Sequence, residues 1–220
     1  QNTATGYQAG YSSTTGNYNT FNGALSGYSN TTGGNNTNIG YAANFNNATG
    51  NNNVAVGYQS LNSNSNASNN TAVGYQSLYF TTTGDENVAV GREVLRENLT
   101  GTLNTAVGTY AMYANSSGTN NSVLGRAALY FNTTGSQNTA MGREALQTNT
   151  TGSNNTALGY NALYFNTTAS NNTAIGKGAL YSNTSSSENT VVGWEAGYKS
   201  NNSGGYNNLF GTVAGHEITS

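Results

Sequence analysis

Residues 153–180, SNNTALGYNALYFNTTASNNTAIGKGAL, contain two nearly identical runs. The run Asn155-Thr-Ala-Leu-Gly159 is followed by the run Asn172-Thr-Ala-Ile-Gly176, which begins 172 − 155 = 17 residues later. An Ala-Leu pair trails each run, at Ala162-Leu163 and at Ala179-Leu180. Self-similarity at a fixed period is the mark of a repeat architecture, so the period is the first thing to follow along the chain.

The same period accounts for the whole chain of 220 residues. Thirteen copies of the closing Gly are separated by 17 residues in eleven of twelve intervals, and the last, 211 − 193 = 18, contains an insertion near Gly204-Gly205. Counted from its Asn, every repeat has Asn at position 1, and the central members are Asn87, Asn104, Asn121, Asn138, Asn155 and Asn172. We predict a single array of thirteen repeats over residues 1–220, forming a segment of a longer fibre.

Two large apolar positions recur in each repeat beside two small ones. Position 4 is mostly aliphatic, and its central members are Val107, Leu124, Met141 and Leu158. Position 9 is Leu or Met through the middle of the chain, including Leu129, Leu146 and Leu163. Positions 3 and 8 are mainly Ala or another small residue. We expect both large positions to form the core, with the small residues on the opposite strand face, where a second chain can approach.

Period and residue type together predict an all-β fold, a β-solenoid or β-roll with one coil per repeat. Seventeen residues are too few for a helix pair, and Gly at position 5 with an Asn-Thr-Thr-Gly turn at positions 12–15 leaves no room for three helical turns. We expect short strands at positions 2–5 and 7–11. Stacked coils then give an amide ladder at position 1 and an aromatic ladder at position 10, through Tyr113, Tyr130, Tyr164, Tyr181 and Tyr198.

A core of this kind buries little apolar surface for a single chain of this length. Ordering a backbone costs about 1–2 kcal/mol per residue, against two large buried side chains per 17 residues. The balance favours association, so we expect a homo-oligomer.

Composition restricts the partners. Charged residues are 6% of the chain and the net charge is −2, so the sequence offers no basic patch for nucleic acid or an anionic membrane. The absence of Pro and the 16 Tyr argue against disorder. No apolar run approaches the roughly 20 residues that span a bilayer, so we expect no membrane insertion. Without Cys there is no disulfide framework or thiolate metal site, and we expect neither cofactor nor metal.

A catalytic site would interrupt the repeat with unlike residues, and the interruptions are few. His216 is the only His and Asp85 the only Asp. Asp85 with Glu86 suggests Ca²⁺, but no other repeat carries acids there, and a charged turn explains the pair better. No acid, base and nucleophile come together in this pattern, so we do not expect an enzyme.

Position 6 alternates between Tyr and a cation. The alternatives are a solvated stripe with weak ion pairs or a stripe that reads a ligand. Trp194 occupies this position once, either as a structural aromatic residue or as a platform for a sugar. The candidate ligand surface consists of Tyr130, Tyr164, Tyr181, Trp194, Arg126 and Arg143.

Three runs carry a resemblance to known proteins: Asn121-Ser-Val-Leu-Gly125, Asn138-Thr-Ala-Met-Gly142 and the run from Asn155 to Thr168. They resemble the repeat arrays of bacterial and phage "tail fiber domain" proteins, which often carry a C-terminal chaperone of the endosialidase type that cleaves itself after trimerisation. More loosely, the chain is similar to the heads of trimeric autotransporter adhesins, left-handed β-rolls with a shorter repeat containing Asn-Ser-x-Ala-Ile-Gly. The resemblance implies a trimer and a role in attachment.

Two functions are therefore compatible with the sequence. The first is a structural and adhesive segment of an extracellular fibre, on a cell surface or a virion, that contacts an unknown surface receptor or glycan. The second is an ice-binding β-solenoid with ranked Thr at positions 2, 13 and 14, including Thr105, Thr133, Thr134, Thr139, Thr150, Thr151 and Thr156. Against the second, adjacent Thr residues in a turn cannot both face outward on one surface.

Overall fold

The computed structural model describes residues 1–200 and 205–217, so part of the insertion, including Gly204, lies outside the described residues. Two compact units divide the chain, residues 1–107 and residues 108–220. Each unit is a stack of parallel β-coils with a period of 17 residues, and the described residues contain no helix. The predicted all-β solenoid is confirmed.

Each repeat contributes one strand of three residues, at positions 2–4. The strands of the first unit are β1 (Thr3–Thr5), β2 (Thr20–Asn22), β3 (Thr37–Ile39), β4 (Val54–Val56), β5 (Thr71–Val73), β6 (Val88–Val90) and β7 (Thr105–Val107). Those of the second are β8 (Ser122–Leu124), β9 (Thr139–Met141), β10 (Thr156–Leu158), β11 (Thr173–Ile175), β12 (Thr190–Val192) and β13 (Asn208–Phe210). Within a unit each strand pairs in parallel with the next, and the 18-residue interval before β13 keeps the register, with Thr190 opposite Asn208.

Position 3 faces the interior of the coil, while positions 2 and 4 face outward, because successive side chains of a strand point to opposite sides. Ala140 and Ala157 are fully buried, whereas Leu124 is 52% exposed and Met141 42% exposed. The predicted burial of position 4 is therefore wrong, and Val107 and Leu158 on this face are likewise only half-buried.

The physical reason is the narrow coil, whose interior is largely filled by the Leu of position 9, so that position 3 is mostly Ala. The larger Phe21 is buried at position 3 where position 9 of neighbouring coils is Gly, at Gly10 and Gly27. The small residues accordingly lie inside, so the face expected to admit a second chain is the core.

The second predicted strand is also absent, because positions 6–11 turn instead. Positions 7 and 9 are left-handed, for example Glu144 with φ 60° and Leu146 with φ 52°. A left-handed L-residue costs roughly 1–2 kcal/mol. Here the turn swings the Leu side chain fully into the core, and the N–H of Leu146 donates to the carbonyl of Ala162 in the next coil, 3.0 Å away. Leu129 and Leu163 are buried in the same way.

Position 5 requires Gly because φ is positive and the coils are close. At Gly142 φ is 133°, and a Cβ would lie 2.5 Å from the carbonyl oxygen of Gly159 in the next coil. Any larger residue would force the coils apart.

Buried Asn side chains at position 1 connect one coil to the next. The N–H of Asn138 donates to Oδ1 of Asn121 (2.9 Å), and the N–H of Asn155 donates to Oδ1 of Asn138 (3.0 Å). Nδ2 of Asn138 donates to the carbonyl of Gly152 at position 15 of its own coil (2.9 Å). Each amide thus closes its own coil and joins it to the neighbouring one, and all six central members are buried: Asn87, Asn104, Asn121, Asn138, Asn155 and Asn172.

A second Asn column, at position 12, is missed by the sequence reasoning, which assigned those residues to a turn. Nδ2 of Asn149 donates to Oδ1 of Asn132 (2.9 Å) and to the carbonyl of Gly152 (3.0 Å). The two columns therefore converge on the same carbonyl from opposite sides of the turn. The available signal was the regular return of Asn at position 12, which a turn alone does not require.

Candidate functional site

The charged and titratable residues do not assemble into a catalytic or metal-binding cluster. Among residues 1–200 and 205–217, no three His, Cys, Asp or Glu side chains are placed to hold a metal ion. The carboxylate of Asp85 accepts a hydrogen bond from the N–H of Ser68 (2.6 Å), as a turn residue does. The ring of His216 stacks on Tyr198 (5.5 Å between centroids). In the described part of the chain, no helix is long and apolar enough to cross a membrane.

The cations of the candidate surface lie in ion pairs at the surface. One carboxylate oxygen of Glu144 contacts both Arg126 (3.2 Å) and Arg143 (3.0 Å). The hydrogen bond from Arg143 to Glu144 raises the pKa of that guanidinium. Both arginines are more than half exposed, so the pairs are screened by solvent and contribute little to stability.

Position 6 forms an outer column of stacked rings and cations. In the first unit Tyr41 stacks on Tyr58 (5.3 Å) and Tyr58 on Tyr75 (5.4 Å). In the second, the guanidinium of Arg143 lies 5.6 Å from the Tyr160 ring centre and Nζ of Lys177 lies 5.8 Å from that of Trp194. Rings inside such a column offer their edges to solvent, because their faces are covered by neighbouring coils. Lys177 covers one face of Trp194 in this way.

Position 10 forms a second, parallel column. Tyr113 stacks on Tyr130 at 5.0 Å between centroids, and further along Tyr164 stacks on Tyr181 at 5.3 Å and Tyr181 on Tyr198 at 4.6 Å. Burial raises the pKa of the Tyr181 hydroxyl above its ordinary value. These contacts place three members of the candidate surface, Tyr130, Tyr164 and Tyr181, in this column, whereas the arginines and Trp194 belong to the column of position 6.

In each unit a groove whose floor is position 7 runs between the two columns; we call it the aromatic groove. Where position 7 is Gln, the side chains bond one another along the floor, as Nε2 of Gln76 donates to Oε1 of Gln59 (2.8 Å). Three pockets of about 260, 290 and 220 Å³ open in the groove, each lined by a residue with a small side chain at position 7: Ala42, Ala127 and Gly178. The depth of the groove is thus set, coil by coil, by one residue.

The outer strand face, formed by positions 2 and 4, is the other exposed surface. In β4 to β7 all eight side chains on it are β-branched and therefore stiff: Val54, Val56, Thr71, Val73, Val88, Val90, Thr105 and Val107. The hydroxyls at position 13 belong to the turn instead, since Oγ1 of Thr133 donates to the carbonyl of Thr150 (3.0 Å). The Thr column at position 2 therefore lies on a strand, whereas the Thr column at position 13 lies in the turn.

No family model matches this chain, and no curated protein or solved structure shows significant similarity to it.

Proposed function

We propose that this chain is a structural and adhesive segment of an extracellular fibre. The observation that carries the proposal is the contrast between the buried and the outward positions of each repeat. Buried position 1 is Asn in every coil, and buried positions 3, 9 and 12 are mostly Ala, Leu and Asn and hold coil to coil, while outward positions 6, 7 and 10 change between Tyr, charged and small residues. A scaffold that can be extended by adding coils, with an adjustable outer surface, suits a fibre that makes many weak contacts.

The outer surface supports contact with a receptor or glycan more than with a charged polymer. Aromatic rings and hydroxyl groups dominate it, and such side chains supply contact area together with hydrogen bonds. The few ion pairs are exposed and weak.

Adhesion is tested by coating beads with the purified chain and measuring their retention under flow on cellulose, chitin and collagen films. Retention above that of beads coated with serum albumin on at least one film is the expected result. Equal detachment from every film would remove the adhesive part of the proposal.

The exposed aliphatic column at position 4 supports self-association as part of this function. Leu124 and Met141 leave large apolar surface in water, which packing against a second copy would bury. We propose a homo-oligomer, with three chains as the resemblance implies. Light scattering over a dilution series should give a stable multiple of 22.7 kDa, and a folded monomer at every concentration would contradict it.

Ice binding remains the second candidate, and the β-branched lattice on β4 to β7 favours it. Rows of Thr and Val about 4.8 Å apart form a flat, regular surface of methyl and hydroxyl groups. On the corresponding face of the second unit, Leu124 and Met141 are exposed and are not β-branched. Thermal hysteresis separates the two functions: a measurable freezing gap, lost in Thr71→Lys, would favour ice binding, and none at high concentration would exclude it.

A further inference from the structure

We infer that the pocket beside Gly178 binds one ring of a neutral hexopyranose. This inference rests on the proposed adhesive function and deepens it by naming a ligand class. The pocket has a volume of about 220 Å³, below the roughly 300–1,000 Å³ of sites for drug-sized ligands and suited to a single sugar ring.

The pocket exists because the floor of the aromatic groove is interrupted there. Gly178 is the only Gly among the thirteen residues at position 7. Where successive coils both have Gln at position 7, the side chains bond one another, as Gln59 and Gln76 do. Asn161, one coil before Gly178, faces no such partner, and its Oδ1 is buried without a hydrogen bond from any described residue. A buried acceptor without a donor is unfavourable, and a ligand hydroxyl would supply the missing donor.

The walls supply the other groups that a sugar requires. Tyr160 lines the pocket and receives the guanidinium of Arg143 from the preceding coil, 5.6 Å from its ring centre. Lys177 in the following coil is directed to Trp194, so no described ring or cation of that coil stacks on Tyr160. The face of that ring within the pocket therefore provides a platform for the C–H face of a pyranose.

The charged residues that line the pocket favour a ligand without net charge. Lys177 and Glu195 both line the pocket, one positive and one negative, so a net charge on the ligand gains one attraction and suffers one repulsion. Sugar hydroxyls can donate to Glu195 and to Oδ1 of Asn161, and can accept from the ammonium of Lys177. The site thus combines a stacking platform with two acceptors and one donor.

The test is a titration followed by ¹⁵N–¹H NMR with methyl β-D-glucopyranoside, methyl β-D-galactopyranoside and methyl α-D-mannopyranoside, beside sodium glucuronate and glucosamine. We expect at least one neutral glycoside to shift the amides of residues 160–162 and 177–179 saturably, and to bind more tightly than either charged sugar. No saturable shift with any neutral glycoside, or tighter binding of a charged one, would overturn the inference.

Two variants locate the site. Gly178→Gln restores the floor with a residue that other coils accept at this position, at φ 52° in Gln59, and a Cβ there would lie 3.1 Å from the Tyr198 ring. Tyr160→Leu removes the platform. Each should weaken binding about tenfold or more, corresponding to loss of a dominant contact. Glu93→Gln and Tyr75→Leu, the same positions in remote coils, should leave binding unchanged.

Undiminished binding in both pocket variants would place the sugar elsewhere and refute the assignment. If beads carrying the wild-type chain adhere while every glycoside titration is silent, the pocket fails and the adhesive function stands. If neither beads nor titrations respond, both fail.

Discussion

The two Asn columns and the aromatic groove are built from the same repeat yet follow opposite rules. Asn138 and Asn149 are buried, converge on one carbonyl and have counterparts in nearly every coil. At position 7 of the groove, by contrast, the residue type changes from coil to coil, and pockets open beside Ala42, Ala127 and Gly178. Residues that stay the same in successive coils hold the coils together. Positions on the outer surface where the residue type changes are the candidate binding sites.

The largest expected effect contrasts a leucine inside the coil with one outside it. Leu146→Ala removes a fully buried side chain and should lower the free energy of unfolding by about 2–5 kcal/mol. Leu124→Ala, at a site that is 52% exposed, should cost well under half of that. Urea denaturation of both variants measures the difference. Equal losses would mean that position 4 is buried in solution, for instance between copies of the chain.

The next effect tests the Asn columns. Asn138→Ala deprives the N–H of Asn155 of its acceptor while Gly152 keeps its bond from Asn149, so we expect a loss of about 1–3 kcal/mol. Thr151→Ala, at an exposed position of the same turn, is the matched control and should change stability by less than about 0.5 kcal/mol. A loss no larger than that of the control would show that the column contributes nothing to stability.

A smaller effect is expected from the ion pairs on the edge of the groove. Glu144→Gln breaks contacts with Arg126 and Arg143, yet both cations are largely solvated, so stability should fall by less than about 1 kcal/mol. The difference from wild type should shrink further in high salt, as measured by thermal unfolding at two ionic strengths. A loss matching that of Leu146→Ala would contradict the weak role assigned to these charges.

The smallest effect concerns pH. Burial raises the pKa of Tyr181 in the folded chain, so between its unfolded and folded pKa the native state holds more protons and stability falls as pH rises. We expect a decline beginning near the ordinary tyrosine pKa of about 10 that is reduced in Tyr181→Phe. Unfolding midpoints measured from neutral to alkaline pH test this, and identical alkaline declines in both proteins would argue against a buried hydroxyl.

Much of the fold was predictable because a strict period fixes which residues stack. The Asn at position 1 and the Tyr at position 10 align in columns whatever the shape of the coil. Which strand face points inward was not predictable, since alternation separates Ala140 from Met141 without saying which is buried. Side-chain size favoured Met141, but an interior already filled by the buried leucines of position 9, such as Leu146, selects Ala140.

The turn at positions 6–11 and the pockets escaped prediction for a related reason. Leu146 is left-handed, which intrinsic preference disfavours, and only packing in the assembled coil offsets that cost. Predicting the pocket beside Gly178 requires knowing that position 7 forms the floor between the two columns. Its signal, a single Gly in a column of larger residues, was already present in the sequence.

The central claim is that Asn side chains at positions 1 and 12 are buried and bonded from coil to coil. The most direct measurement is hydrogen exchange of the Asn side-chain amides, followed by NMR in the folded protein. The Nδ2 protons of Asn138 and Asn149 should exchange only on opening of the coil, orders of magnitude more slowly than those of exposed Asn154. Exchange as fast as that of Asn154 would contradict the account.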